Sequence, residues 1–121
     1  MPARPIMAPQ IHYQSNSEAV TYTADFSSAM QADESIDDIT GANAYGVALG
    51  IACDDAKILL SAGAIIDSDT IVDGAEIYAG KGVQFIVRAP EASEGSYEIR
   101  VTVQTDYGNT RQLICPLTVQ N

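Results

Sequence analysis

An all-β antiparallel sandwich is predicted by two features of this sequence: apolar residues recur at every second position over many short stretches, and turn-forming residues separate those stretches at close spacing. No stretch carries a convincing long helical period. The best strand signal lies in residues 83–119. In Tyr97-Glu98-Ile99-Arg100-Val101-Thr102-Val103-Gln104, aromatic and β-branched residues alternate with charged or polar ones, as in a half-buried strand. Asp106-Tyr107-Gly108-Asn109 supplies a turn, with Gly108 free to take positive φ. Leu113, Cys115, Leu117 and Val119 then resume the alternation, so the C-terminal part reads as a hairpin closing a sheet. Val83, Phe85 and Val87 make a preceding strand of the same kind.

In chain order, residues 1–16 read as an extended N-terminal arm and residues 17–121 as the sandwich domain. Pro2, Pro5 and Pro9 prevent the arm from pairing as a central strand. It is either a tail or a segment that orders against a neighbouring subunit, gripping through Ile6, Met7 and Ile11. Val20, Tyr22, Ala24 and Phe26 share one face of the first clear strand. Residues 27–33 read as a loop or one helical turn, and 34–39 as the start of a second strand. Val47, Leu49 and Ile51 keep an alternation over 45–53. Asp54-Asp55-Ala56-Lys57 turns the chain and Ile58-Leu59-Leu60 returns; a helix over 54–62, capped by Asp54, competes, and Gly63 with the β-branched Ile65-Ile66 favours strand. Asp73-Gly74 marks a two-residue hairpin. Residues 89–95 cross from the 83–87 strand to the Tyr97 strand. The total is roughly seven to nine short strands, the number and spacing of a sandwich.

The composition narrows the function classes. A chain of 121 residues with 46% hydrophobic residues supports a single core. Sixteen acids against six bases give a formal net charge of −10, which opposes nucleic-acid binding because phosphate neutralisation needs clustered Lys and Arg. No apolar run reaches membrane-spanning length, and no basic-then-apolar leader opens the sequence, so a protein made and kept in the cytosol is expected. Cys53 and Cys115 are too few for a disulfide scaffold. They are expected as reduced, buried thiols, the alternative being a bridge between the two sheets in an oxidising compartment.

Chemistry-bearing motifs are scarce. His12 has no metal-ligand spacing around it, and there is no phosphate loop, CxxC or nucleophile with a histidine partner. The acidic pairs Asp37-Asp38, Asp54-Asp55 and Asp67-Ser68-Asp69 read as turn formers, with oxygen ligation of calcium as the alternative. Carboxylates in turns and on outward strand positions do not make a glycosidase pair. No enzyme activity, cofactor or metal is expected. Tyr97 stands at the start of the penultimate strand, two residues before Ile99, where immunoglobulin domains carry their second core cysteine. This position predicts a tyrosine corner and an immunoglobulin-like sandwich, the alternative being an ordinary cross-strand aromatic.

The strings Ser17-Glu18-Ala19-Val20-Thr21-Tyr22-Thr23-Ala24-Asp25-Phe26-Ser27, Glu34-Ser35-Ile36 and Gly95-Ser96-Tyr97-Glu98-Ile99-Arg100-Val101, with Thr105 and the Gly108 turn, resemble the small immunoglobulin-like virion proteins of tailed bacteriophages. The resemblance spans residues 17–119. The family often has Trp where this chain has Phe26, and a double Gly where it has the longer 89–95 crossing. The resemblance implies a non-enzymatic structural protein of the virion, assembled in the host cytoplasm, homo-oligomeric, and in contact with other virion proteins rather than nucleic acid or membrane. A fibre-tail adaptor at the tail or neck is the first expectation and capsid decoration the second; a calcium- or carbohydrate-binding receptor module is a third. Arg88, Arg100 and Arg111 fall in 83–119 on an otherwise acidic chain; either they share one outer face that docks an acidic neighbour or they are scattered solvated charges.

Overall fold

The computed structural model describes residues 5–8, 12–15, 18–42, 46, 48–61, 63–72 and 74–120. Within them the chain is nearly all β. The strands are β1 (Pro5–Ala8), β2 (His12–Gln14), β3 (Ala19–Asp25), β4 (Ile36–Asp38), β5 (Gly41–Ala42), β6 (Ala48–Cys53), β7 (Leu59–Leu60), β8 (Ala64–Ile65), β9 (Thr70–Val72), β10 (Ala75–Ile77), β11 (Gly82–Arg88), β12 (Gly95–Thr105) and β13 (Thr110–Val119). A 3-10 turn, Ser27–Ala29, follows β3.

Two sheets face each other. One runs β1-β3-β11-β7, with β8 also on β11; the other runs β2-β13-β12-β6-β5, with β4 also on β12. The strands with the clearest alternation form the centre of each layer. Val20, Tyr22 and Ala24 of β3 and Val83, Phe85 and Val87 of β11 point inward from the first sheet, and Ile99, Val101, Val103, Cys115, Leu117 and Val119 from the second; all are buried. Tyr22 lies directly opposite Phe85 in the antiparallel register, and their rings stack at 5.8 Å. Each Val, Ile, Leu or Phe side chain among them contributes about 1.5–3 kcal/mol on withdrawal from water, which makes this layer the main source of stability. β12 and β13 pair from Gly95↔Val119 to Gln104↔Thr110, and Gly108 turns between them at φ +78.

The 83–87 stretch pairs with β3, and residues 89–95 cross from it to β12 in the opposite sheet. Two elements depart from the expectation. The turn at residues 54–57 leads β7 across to β11 rather than back onto β6, and Ile58 is buried as the chain crosses. Residues 5–8 and 12–14, expected to lie outside the sandwich, pair in parallel with β3 and β13 as edge strands of the two sheets. Only one side of an edge strand is paired, so a proline there need not break the ladder.

Between β8 and β11 the chain forms a separate β9–β10 hairpin, with Ala75 opposite Val72 and Gly74 at φ +80. Ile66, Val72 and Ile77 make a small core of their own beneath it.

Candidate functional site

Three loops meet at one end of the sandwich: residues 26–35 after β3, residues 78–81 before β11, and the β12–β13 turn. Backbone bonds join them side by side. Ile36 N donates to Gly80 O at 2.8 Å, Asp106 N to Ser35 O at 2.9 Å, and Phe26 N to Lys81 O at 2.9 Å. Gly80 sits at φ +79, and a Cβ there would stand 2.9 Å from that of Ser35, so glycine permits the close approach of two loops.

Glu34 is the centre of this junction. Its carboxylate is wholly buried yet fully bonded: Oε2 accepts from Thr105 Oγ1 at 2.5 Å and Asn109 Nδ2 at 3.0 Å, and Oε1 from Gln31 N at 2.9 Å. Arg111 Nη2 stands 3.8 Å from Oε1. The Thr105 hydroxyl first, then the Gln31 N–H and the Asn109 amide, favour the ionised form; burial opposes them and Arg111 assists, and the net effect lowers the pKa from 4.5 to about 2. Lys81 supports the same loop. Its Nζ donates to Gln31 O and Ala32 O, each at 2.9 Å, and to Glu34 O. The two charged side chains therefore hold the loop by complementary bonds, Glu34 accepting from donors and Lys81 donating to carbonyls.

The exposed rim is acidic and aromatic. Asp106 accepts from Ser35 N at 2.9 Å. A side-chain hydrogen bond to Asp33, with desolvation and the charges of Asp33, Asp106 and Glu34, pushes the Tyr107 hydroxyl up to about 12.

Asp38 and Asp55 each bond a backbone N–H two residues on, as turn formers do, and Asp69 bonds one across the β9–β10 hairpin. Asp38 Oδ1 accepts from Thr40 N, Asp55 Oδ1 from Lys57 N and Asp69 Oδ1 from Ala79 N, each at 2.9 Å. Among the described residues no three His, Cys, Asp or Glu side chains come together as a metal site. At the opposite end, a depression of about 480 Å³ is lined by Cys53, Asp54, Asp55, Ala56, Ser96, Tyr97 and Glu98.

Arg88, Arg100 and Arg111 do not share a face. Arg88 is on β11 in the first sheet, whereas Arg100 lies on the outer side of β12, opposite Ile114, with Nη1 3.2 Å from Asp54 Oδ1. Arg111 lies opposite Val103 on the inward side of β13 and reaches Glu34. The period of two separates Arg100 from Arg111, and membership of different sheets separates both from Arg88. Ile6 and Met7 fall in β1, opposite Tyr22 and Thr23, and Ile11 lies outside the described residues. Tyr97 is half-buried; its hydroxyl donates to Ser93 O at 2.7 Å, four residues upstream. Gly108 N donates to Thr105 O at 2.9 Å and so closes the turn beside Glu34.

No protein-family model matches the sequence, and a comparison with curated proteins finds no match. Among solved structures, the solution structure of Amebosin is similar over 99% of this chain and 100% of that one, with a TM-score of 0.51 and 10% sequence identity. That likeness is one of fold alone. Glu34 and Lys81, around which the loop end is built, were not singled out from the sequence; Glu34 follows Asp33 in a polar loop, and no local pattern tells the buried acid from the exposed one.

Proposed function

We propose that this chain is a non-enzymatic structural protein of a tailed-bacteriophage virion, an immunoglobulin-like sandwich present in several copies that joins fibres to the tail or neck by protein–protein contacts. The observation that carries the reading is the use to which the buried Glu34 and the half-buried Lys81 are put. Glu34 and Lys81 are bonded on several sides by loop backbone and turn side chains, an arrangement that stiffens a scaffold and leaves neither group poised for acid–base work.

The strand arrangement supports the immunoglobulin-like part of the proposal. β3 pairs with β11 in one layer, and β12 with both β13 and β6 in the other, as the B–E and G–F–C pairings of that fold require. The Tyr97 hydroxyl bond to Ser93 O has tyrosine-corner geometry. The virion part rests on the resemblance of residues 17–119. Mass spectrometry and cryo-EM of particles of the phage that encodes the chain test it. The expected result is a fixed ratio to tail or neck components and sandwich-shaped density at that position. Copies confined to the capsid lattice would replace the adaptor with a decoration protein, and absence from the particle would remove both.

A further inference from the structure

We propose that the loop end of the sandwich, where Ile71, Tyr78 and Tyr107 project beside exposed carboxylates, docks an arginine-bearing surface of a partner protein. This goes beyond the adaptor reading and does not depend on it.

The first support is where large apolar side chains are left in water. Ile71 is 70% exposed, Tyr78 56% and Tyr107 49%. Leu59, Ile86 and Ile114, the other exposed large apolar residues among those described, are divided between two outer sheet faces. Tyr78 and Tyr107 belong to neighbouring loops joined through residues 35 and 36, and Ile71 is on the hairpin that leads into Tyr78. Tyrosine presents a large, stiff contact area at low entropic cost, which suits an interface.

The second support is rigidity. The loops are bonded to one another through Glu34, Lys81 and Ser35, and the hairpin base is tied by the bond from Ala79 N to Asp69 Oδ1. Little ordering cost then remains to be met on binding.

Charge selects the partner. Asp33, Glu76 and Asp106 are exposed at this end. The bases nearby are already engaged, Lys81 on loop carbonyls and Arg111 beside Glu34. A second copy would bring −10 to −10, and nucleic acid or an anionic membrane would likewise meet like charge. A guanidinium both pairs with carboxylates and stacks on tyrosine rings, so arginine satisfies the two surface chemistries present.

The test is an NMR titration of the 15N-labelled full chain with an unstructured peptide carrying six arginines, against a lysine peptide of equal charge. Shifts are expected to concentrate in residues 69–80 and 105–108. The arginine peptide should bind several-fold more tightly than the lysine peptide. Ile71→Ser with Tyr78→Ser should weaken arginine binding about tenfold, while Ile114→Ser leaves it unchanged. Both variants sit at exposed positions, and an unaltered melting temperature confirms their folding; if the double variant unfolds, the wild-type shift map and the peptide comparison still decide. Shifts spread over both ends, equal binding of the two peptides, or full binding by a folded double variant would overturn the proposal, as would self-association through this end in sedimentation.

Discussion

Thr105 Oγ1 donates to Glu34 Oε2 at 2.5 Å across 71 residues of sequence, with both residues buried, so the last residue of β12 holds the loop that follows β3. Glu34→Gln keeps the volume but replaces a carboxylate oxygen with an amide donor facing other donors. Its melting temperature is expected to fall by roughly 5–10 °C in calorimetry, with the sheets intact by circular dichroism. An unchanged transition would show that the carboxylate does not hold the loops.

The same carboxylate sets an acid limb of stability. Its folded pKa of about 2 lies below its ordinary 4.5, so the unfolded chain binds the proton first as pH falls. The Glu34 contribution is therefore complete above about 4.5 and is lost between there and about 2. Urea midpoints measured across that range should fall more steeply for the native chain than for Glu34→Gln. Parallel slopes would place the acid sensitivity elsewhere.

Alternation alone made β3, β11, β12 and β13 legible, because a sheet with one buried face writes its period of two into the sequence. Pairing was less legible. Nothing in Val83-Gln84-Phe85-Ile86-Val87 distinguishes a partner in residues 97–104 from one in residues 19–25, and the chain takes the latter. The parity of Arg111 with Leu113 and Cys115 places it on the inward side of β13, a reading available from the pattern; the acid it approaches is set by a contact 77 residues away. Glu34 was illegible for the same reason, since its donors are supplied by residues 105 and 109.

Removing the Tyr97 hydroxyl isolates the bond to Ser93 O. Tyr97→Phe is expected to lose about 1 kcal/mol in denaturant unfolding, the usual worth of one hydrogen bond, while retaining the ring contacts. A loss within error of zero would make Tyr97 an ordinary cross-strand aromatic.

Cys53 and Cys115 flank Ile99 from β6 and β13 within one sheet. Two strand spacings, about 10 Å, separate their backbones, beyond disulfide reach, so the two are free thiols, and the alternative of a bridge between sheets has no geometry to form. Burial pushes the Cys115 thiol up to about 12. In Cys53→Ala the remaining thiol should react with Ellman's reagent only as fast as the protein opens. Because the folded pKa exceeds the ordinary 9.0, the Cys115 contribution is present below about 9 and is lost as pH rises towards 12. Rapid labelling of folded Cys53→Ala would contradict this burial.

Gly63 and Gly108 should both resist replacement by alanine, for different reasons. A Cβ at Gly63 overlaps Ile51 Cδ1 and stands 3.0 Å from Val83 Cγ1, so Gly63→Ala overpacks the space between the sheets at a cost of about 1–3 kcal/mol. At Gly108 nothing lies within 4 Å of a Cβ, but φ is +78, and alanine there costs about 1–2 kcal/mol in backbone strain. A second substitution separates the two causes. Ile51→Val removes the overlapping methyl and should recover part of the loss in Gly63→Ala, giving a coupling energy of opposite sign to the single losses. It should leave Gly108→Ala unaffected, whereas Gly108→Asn, which tolerates the left-handed region, should recover most of the loss there. Additive losses for Gly63→Ala with Ile51→Val would show that the crowding lies against Val83 or Ile39 instead.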